Sequence, residues 1–387
     1  MPPAQPDGDL APEDGLLPDE AWAQFGSKPF GLYVHVPFCS VRCGYCDFNT
    51  YTAEELGDEV GASRSSYAEA AIREIRFARH VLGHRDVKID TIFFGGGTPT
   101  LLKPADLGAI VASAAAEFGL ADGVEITTEA NPDSVALWDL EELRTAGFNR
   151  ISFGMQSAVD HVLRTLDRTH DPLRVPAAVD WARQAGFDDV SLDLIYGTPG
   201  ESLADWETSV ESALACEPDH ISAYSLFVED GTALARQVRR GELPMPDEDD
   251  LADKYHLADE RFTAAGLGWY EVSNWATSPD HWCRHNMLYW TGGHWWGVGP
   301  GAHSHIGARA GGTSSTPRRT ATGSCAASRR RWPARCSAIA TSWSSGSCWR
   351  SGSSRGSRSR PSRPPVGRTS RGWCRRASSS SAPSGSS

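Results

Sequence analysis

The chain has 387 residues, enough for one large domain with an appendage or for two modest domains. Its net charge of −12 is unevenly spread, because residues 308–387 hold sixteen Arg and no Lys, Asp or Glu. Residues 1–307 therefore carry 21 basic and 49 acidic side chains, a net charge of −28. So large an acidic excess argues against a nucleic-acid partner, which would require basic patches.

The amino-terminal residues do not resemble a secretion signal. Residues 1–9 have neither a basic start nor an apolar stretch, and no apolar run in the chain is long enough to span a bilayer. The nine Cys residues do not show the spacing of a disulfide framework. We therefore expect a cytoplasmic protein with no membrane span. Residues 1–28 are rich in Pro, Asp, Glu and Gly, which predicts a disordered lead-in.

The first predicted strand, residues 31–38, leads directly into a loop with three thiols, Cys39, Cys43 and Cys46. A structural zinc site needs four ligands, and no fourth Cys or His lies at a matching spacing. Three thiolates suit a cubane iron–sulfur cluster with one open iron. Such an iron can chelate S-adenosylmethionine (SAM), and an electron from the cluster then cleaves the sulfonium to a 5′-deoxyadenosyl radical. Three incidental thiols are the alternative interpretation.

Beyond this loop, predicted helices and strands alternate, which makes six strand–helix units in all. This pattern predicts an α/β fold, an open parallel (β/α)6 partial TIM barrel with ligands at the carboxyl ends of its strands. A doubly wound sheet is the alternative, since periodicity alone does not distinguish the two. The further strands are predicted at residues 90–94, 125–130, 150–155, 190–196 and 220–226, and the helices at 66–82, 104–118, 137–146, 172–185 and 203–215.

Gly or polar residues mark the ends of four successive strands. Residues 95–99 (GGGTP) end the second strand, Glu129 the third and Gln156 the fourth, while Asp193 lies in the fifth. Glycines at a strand end let the backbone approach a ligand closely. A plain tight turn or a satisfied core polar group would explain each feature alone. Together they indicate a ligand rim, and the absence of GxGxxG argues against a dinucleotide site.

Four stretches resemble the oxygen-independent coproporphyrinogen III oxidase family of radical SAM proteins. They are YVHVPFC at 33–39, GGGTPT at 95–100, FGMQS at 153–157 and DLIYG at 193–197, and the match runs from about residue 29 to 306. The resemblance implies that the loop thiols Cys39, Cys43 and Cys46 bind a [4Fe-4S] cluster. It also implies that Tyr33, Tyr45, Gly96, Gly97, Thr98 and Glu129 surround a first SAM, and that Gln156, Arg168 and Asp193 contact a second SAM.

Two features separate branches of this family. The oxidase carries a further Cys two residues after the third cluster Cys, where this chain has Phe48. Residues 285–290 (HNMLYW) resemble the HNxxYW motif of the haem chaperones. The motif implies that His285 is an axial haem ligand and that Tyr289 and Trp290 pack on the porphyrin. A hydrogen-bonded structural histidine is the alternative for His285.

The remaining His and Cys residues of this part are weaker candidates. His303 and His305, in the stretch GPGAHSH, are secondary candidates for haem ligation. Cys216 and Cys283 are expected to be buried small hydrophobic residues rather than ligands.

The tail, residues 308–387, consists mainly of Ser, Arg, Gly, Ala, Pro and Thr, so we expect it to be disordered. A basic RNA-binding tail is one interpretation, but no repeat supports it. Back-translation of residues 309–317 into GC-rich codons and a shift of frame yields RWWNVKHP, a string similar to the residues that family members carry just after GPGAHSH. We interpret the tail as an out-of-frame reading, which leaves the C-terminal extension incomplete.

These observations predict a radical SAM core at residues 29–248 and the start of a C-terminal haem-binding region at 249–307. The favoured hypothesis is a haem chaperone with a [4Fe-4S] cluster and SAM. Its expected partners are haem, a haem-acceptor protein and an electron donor such as a flavodoxin or ferredoxin. The alternative is an enzyme, the oxygen-independent coproporphyrinogen III oxidase, which decarboxylates propionates oxidatively. A zinc-stabilised interaction domain is disfavoured by the three-ligand count.

Overall fold

The computed structural model describes residues 25–52, 63–83, 85–307 and 309–312, with short pieces at 9–10, 17, 19–22, 55 and 331–332. All of them belong to one compact unit, Met1–Ser344, and a second unit, Ser345–Ser387, lies outside the described residues. Most of the predicted disordered tail and much of the lead-in also lie outside them. The described part of the lead-in includes a single helical turn, Asp19–Trp22, in which Ala21 is buried against the core.

One mixed sheet of eleven strands organises the described residues. Its spatial order is β11-β10-β9-β1-β2-β3-β4-β5-β6-β8-β7, and the strands from β9 through β6 in this order are mutually parallel. The strands are β1 (Phe30–Val36), β2 (Ile89–Gly96), β3 (Leu120–Ala130), β4 (Arg150–Gln156), β5 (Asp189–Tyr196), β6 (His220–Ser225), β7 (Gly268–Glu271), β8 (Asn274–Ala276), β9 (His294–Val298), β10 (His303–Ile306) and β11 (Arg309–Gly312).

The strand order confirms the open (β/α)6 barrel. Strands β1 to β6 are neighbours in chain order, whereas a doubly wound sheet reverses its order at a switch point. The edge strands β11 and β7 pair only with their inner neighbours, so the sheet is not closed within the described residues. The carboxyl ends of six parallel strands therefore meet at one mouth.

Nine helices lie within the described residues. The five predicted helices are present with ends within two residues of the predicted ones, whereas the other four were not predicted. None of the described helices has both the length and the hydropathy needed to cross a lipid bilayer. The helices are α1 (Arg64–Leu82), α2 (Pro104–Phe118), α3 (Leu137–Thr145), α4 (Asp160–Thr165), α5 (Arg174–Gln184), α6 (Leu203–Leu214), α7 (Ala233–Arg239), α8 (Glu248–Ala264) and α9 (Arg284–Thr291).

The two faces of the sheet differ in polarity because side chains alternate along a strand. On the outer face, Leu32, Val34, Ile92 and Phe94 are fully buried in the hydrophobic core. The outer helices cover this face with apolar stripes, as α1 does with residues spaced three or four apart. The inner face carries polar and aromatic residues instead, and its side chains are therefore available to a ligand.

The segment after residue 249 belongs to the same sheet rather than to a separate body. Strand β9 pairs in parallel with β1, and helix α9 lies against the inner face of β1 and β2. The first turn of α9 is held by Glu125 of β3, whose carboxylate accepts hydrogen bonds from the backbone N–H of Arg284 at 3.0 Å and of His285 at 2.9 Å. A carboxylate at a helix N-terminus is favoured by the free N–H groups and the helix dipole.

A buried ion pair anchors α8 to the loop that follows β5. The Lys254 ammonium donates to the Asp250 carboxylate at 2.6 Å and to the Glu201 backbone carbonyl at 2.9 Å, and lies 3.3 Å from the Glu201 carboxylate. The Lys254 and Glu201 side chains are inaccessible to solvent. Burial raises the pKa of Glu201 to about 7, and the lysine charge opposes this shift.

Replacing Lys254 by Met should lower the free energy of unfolding by about 3–5 kcal/mol, because Glu201 is then left buried without its cation. Urea denaturation measures the loss. The control is Arg240→Ala, which breaks the exposed Arg240–Glu242 pair and should leave the midpoint unchanged. A double variant, Lys254→Met with Glu201→Gln, should recover part of the loss. Equal midpoints for Lys254→Met and wild type would contradict the assigned role.

Candidate functional site

The thiol loop is fastened to the carboxyl ends of β1 and β2. At its base, Cys39 N–H donates to the Tyr51 carbonyl at 3.0 Å and Tyr51 N–H donates to the Pro37 carbonyl at 2.7 Å. The Thr98 N–H donates to the Phe38 carbonyl at 2.7 Å. A Cβ atom at Gly97 would lie 2.4 Å from that carbonyl oxygen and 3.0 Å from the Cys39 sulfur. Only glycine fits this contact, which explains one of the three Gly residues at the end of β2.

The spacing of the three thiols excludes a single zinc ion between them as they are placed. Sulfur atoms bound to one Zn²⁺ at about 2.3 Å lie at most about 4.6 Å apart. Within the described residues, the group whose donor atoms all lie within 4.8 Å of one another is Asp189, Asp219 and His281, not the three cysteines. Wider spacing is what a cubane requires, since each Cys binds a different iron. The donor set therefore fits a [4Fe-4S] cluster.

The thiols lie in a partly buried environment that affects their protonation. Burial raises the pKa of Cys39, and it raises that of Cys46 to about 11. Both are therefore protonated at neutral pH in the absence of a metal, and binding of iron must release their protons. The Arg168 guanidinium donates a hydrogen bond to the Cys43 sulfur at 3.7 Å.

Arg168 connects the loop to the ends of β3 and β4. Besides Cys43, its guanidinium donates to the Asn131 side-chain carbonyl at 2.7 Å and to the Gly154 backbone carbonyl at 2.8 Å. Asn131 in turn donates to the Thr98 hydroxyl at 3.2 Å. Sequence reasoning did not identify Asn131, although it directly follows the end of β3 and this position was the available signal.

Gln156 ends β4 in an unusual conformation. Its φ of +61° lies in the left-handed region, next to a register shift between β4 and β5. A Cβ atom at Gly154 would lie 2.9 Å from the Gln156 amide nitrogen and 3.2 Å from Arg168. The bulge therefore turns Gln156 towards Arg168, and this places two of the three residues predicted for a second SAM side by side.

Two half-buried carboxyl groups, Glu129 and Asp193, lie on the inner face. Glu129 accepts a hydrogen bond from the Gly96 N–H at 3.1 Å. Desolvation and then the neighbouring Asp193 raise the pKa of Glu129 from an ordinary value of 4.5 to about 8. Desolvation also raises the pKa of Asp193, which accepts a hydrogen bond from Ser152 at 2.8 Å, whereas the charges of Arg150 and Arg168 oppose that shift. No described cation is among the causes of the Glu129 shift, so its carboxyl group suits a positively charged ligand group.

The two predicted tyrosines occupy different sides of the loop. The Tyr33 hydroxyl hydrogen-bonds His35 Nδ1 at 3.0 Å, and His35 Nε2 hydrogen-bonds the Asn49 carbonyl at 2.9 Å. Tyr45 packs beside a small apolar cluster that includes Leu166. Burial raises the pKa of both tyrosines, so each hydroxyl remains protonated and can donate a hydrogen bond.

His285 is buried on the inner face of the sheet, where its ring packs against those of Phe93 and Tyr33. Its Nδ1 hydrogen-bonds the Thr91 hydroxyl at 2.8 Å and its Nε2 hydrogen-bonds the Tyr289 hydroxyl at 3.2 Å. Burial lowers its pKa to about 3. Both ring nitrogens are therefore engaged, which is the arrangement of the structural histidine that the sequence left open. Haem ligation by His285 stays a prediction.

The structure also places the other candidates of the sequence. Phe48 is 38 % exposed beside the thiol loop. Cys283 is buried, as expected of a small hydrophobic residue, and Cys216 is partly buried. The predicted porphyrin-packing residues Tyr289 and Trp290 are 41 % and 47 % exposed.

Gly97→Ala should lower the iron content of the anaerobically reconstituted protein. An intact cluster gives about four irons per chain, and the variant should hold far fewer. The added methyl group must displace the Phe38 carbonyl or the Cys39 thiol. Iron analysis and the cluster absorption measure the effect. Gly268→Ala is the matched control, since its nearest atom is 3.9 Å away. The triple Ala variant of Cys39, Cys43 and Cys46 gives the baseline, and full iron content in Gly97→Ala would refute the packing argument.

Comparison with known proteins agrees with this geometry. Residues 33–213 match the model of the Radical SAM superfamily. The chain is 51 % identical over 285 residues to the "Heme chaperone HemW" of Mycobacterium tuberculosis, covering 74 % of this chain and 72 % of that protein. It is 36 % identical over 276 residues to the protein of the same name from Bacillus subtilis, covering 71 % and 70 %.

A solved structure shows the same fold. The coproporphyrinogen III oxidase (HemN) of Escherichia coli, described as a radical SAM enzyme, superposes with a TM-score of 0.69 at 23 % identity, over 81 % of this chain and 73 % of that one. At this identity the likeness concerns the fold alone. The sequence identity to the chaperones, by contrast, covers more than two thirds of this chain and of each relative. The chain belongs to the radical SAM superfamily and, within it, to the HemW family.

Proposed function

We propose that this protein is a haem chaperone, which binds haem and transfers it to an acceptor protein, and that it holds a [4Fe-4S] cluster and SAM. The observation that carries the proposal is the 51 % identity to a heme chaperone over 285 residues. The three-thiol loop lies within residues 33–213, which match the Radical SAM family model. An electron donor such as a flavodoxin or ferredoxin would reduce the cluster. The haem acceptor, the donor and a location in the reducing cytoplasm are parts of the same proposal.

The residues that would hold the cofactors follow from the site. Cys39, Cys43 and Cys46 would ligate three irons, and Arg168 would stabilise the thiolate of Cys43. When bound, the cluster supplies one-electron chemistry to SAM at its open iron. The backbone of Gly96 and Gly97 would line the SAM pocket, where the close packing of Gly97 on Phe38 and of Gly96 on the His35 ring leaves no room for a side chain.

Glu129 would receive the positively charged amino group of SAM. A buried carboxyl group beside a second one gains most from a cation, because the cation relieves both desolvation and repulsion. Gln156 and Asp193 lie one and two strands further round the mouth than Glu129 and would contact a second SAM. The same charge argument supports Asp193, whose pKa burial raises.

SAM affinity should rise with pH, pass through a maximum near pH 8 and then fall. Below about pH 8 the Glu129 carboxyl is protonated, and binding of an ammonium group must release that proton. Above about pH 8 the amino group of SAM loses its own proton and with it the charge that Glu129 would bind. Isothermal titration of anaerobic protein with SAM between about pH 6 and pH 9 measures the profile. Glu129→Gln cannot ionise, so it should bind more weakly and lack the rise below pH 8. A flat wild-type profile would remove Glu129 from this role.

The oxidase is the second candidate, and the shared fold favours it. Against it stands Phe48, since the oxidase carries Cys at this position. With SAM, reductant and coproporphyrinogen III, the protein should yield no detectable protoporphyrinogen. Phe48→Cys is the matched variant, because it restores this thiol alone. Product formation is measured by fluorescence. Robust turnover by the wild type would make the oxidase the favoured function and the chaperone the alternative.

Haem binding and delivery test the main proposal. Wild-type protein titrated with hemin should show saturable binding of one haem per chain by the Soret difference spectrum. It should then transfer the haem to a tagged apo-haem protein faster than albumin transfers its bound hemin. Transfer is scored after separating the two proteins. Non-saturable binding, or transfer no faster than from albumin, would contradict a chaperone function.

A further inference from the structure

A positively charged side chain lies against one of the three thiols. A terminal nitrogen of the Arg168 guanidinium donates to the Cys43 sulfur at 3.7 Å. The hydrogen-bond donor at Cys39 is, by contrast, the neutral hydroxyl of Thr50. Both sulfurs would be ligands of the proposed cluster, so the chain surrounds that cluster unevenly, with a charged donor at Cys43.

Asn131 orients the guanidinium from the opposite side. The second terminal nitrogen of Arg168 donates to the Asn131 side-chain carbonyl at 2.7 Å and to the Gly154 backbone carbonyl at 2.8 Å. Asn131 is itself held, because its amide donates to the Thr98 hydroxyl at 3.2 Å and its backbone N–H donates to the Ser134 hydroxyl at 3.1 Å. A guanidinium is planar and rigid, so two acceptors on one terminal nitrogen fix the direction of the other. The network therefore aims the remaining terminal nitrogen at the thiol loop.

The backbone on both sides of this contact is fixed as well. Asp167 has a φ of +54°, in the left-handed region that Asp tolerates, and its carboxylate packs on Gly44, where a Cβ atom would lie 2.4 Å away. The Gly44 carbonyl accepts a hydrogen bond from the Leu234 N–H at 2.8 Å. Asp167 and Gly44 are the chain neighbours of Arg168 and Cys43. The donor and the sulfur are therefore held at a set separation before any cofactor binds.

The three nitrogens of the Arg168 guanidinium have different environments. Nη1 faces Cys43, whereas Nη2 faces Asn131 and Gly154. The Nε–H is buried and makes no hydrogen bond within the described residues. A buried donor without an acceptor costs free energy, and the second SAM proposed to contact Arg168 would offer one. Contact with that SAM leaves Nη1 on Cys43, so the hydrogen bond to the sulfur has a separate consequence.

We propose that Arg168, held in place by Asn131, raises the reduction potential of the cluster that Cys39, Cys43 and Cys46 bind. The inference rests on the proposed function, because it requires that cluster. Reduction adds one electron from the donor protein, and no bond forms or breaks. The ligand sulfurs share the added negative charge, so a cation and a hydrogen bond at Cys43 stabilise the reduced form more than the oxidised one. Asn131 is a positioning residue, which acts through Arg168.

Redox titration of the anaerobically reconstituted protein without SAM tests this role, and the electron paramagnetic resonance signal of the reduced cluster follows it. Arg168→Gln should raise the ratio of oxidised to reduced cluster about tenfold at a given potential, which is a downward shift of about 59 mV in the midpoint. Arg168→Lys keeps the charge without the planar fork and should recover part of the shift. Arg164→Gln is the matched control, since it removes an exposed charge from α4 and should leave the midpoint unchanged.

A double variant tests the positioning role of Asn131. Asn131→Ala should shift the midpoint in the same direction as Arg168→Gln, but it should add nothing in the Arg168→Gln background, because the two residues act as one unit. An iron content of about four per chain qualifies each variant for the titration. If Arg168→Gln assembles no cluster, the midpoint of Asn131→Ala decides the result.

The outcomes separate this inference from the proposed function. If the wild type holds a cluster and its midpoint is unchanged in Arg168→Gln and Asn131→Ala, the inference is overturned and the chaperone function stands. A further shift in the double variant would overturn the positioning role of Asn131. If the wild type assembles no cluster, the cluster part of the proposed function fails and this inference with it.

Discussion

The contact between the ends of β1 and β2 is the constraint on which the site depends. The Phe38 carbonyl accepts a hydrogen bond from Thr98 and lies so close to Gly97 that a Cβ atom would be 2.4 Å from it. This contact fixes Cys39 over the strand end, where a Cβ atom at Gly97 would lie 3.0 Å from its sulfur. One steric requirement thus places the first of the proposed cluster ligands at the carboxyl end of the parallel sheet, beside the glycines that we propose line the SAM pocket.

The polar interior of the barrel is stabilised in two different ways. Near the amino ends of the strands, Glu125 is satisfied by the N-terminus of α9. Near the mouth, desolvation raises the pKa of both Glu129 and Asp193, and only for Asp193 do described cations, Arg150 and Arg168, oppose the shift. Burial of carboxyl groups costs free energy unless a partner compensates it. Glu125 therefore makes a structural contact, whereas Glu129 is the group for which we propose a cationic ligand.

The two histidine motifs differ in accessibility once the chain is folded. His285 belongs to the more distinctive motif, but α9 packs it against Phe93 and Tyr33 on the inner face of the sheet and buries it. His303 belongs to a less specific motif, but it is exposed at the start of β10. Tyr289 hydrogen-bonds His285 and meets the Trp295 ring edge-on, and the Trp295 indole N–H donates to the His303 carbonyl at 3.1 Å.

The sequence by itself determined the local features of this protein. Alternating apolar periods located the six strands and five helices because each element buries one face, and the spacing of Cys39, Cys43 and Cys46 indicated the cluster because those ligands lie in one loop. Only the tertiary structure decided that residues after 249 join the barrel sheet, that Asn131 links Thr98 to Arg168, and that His285 is sealed while His303 is exposed. These depend on contacts between residues far apart in the chain, and local patterns carry no information about which distant segment will cover a side chain.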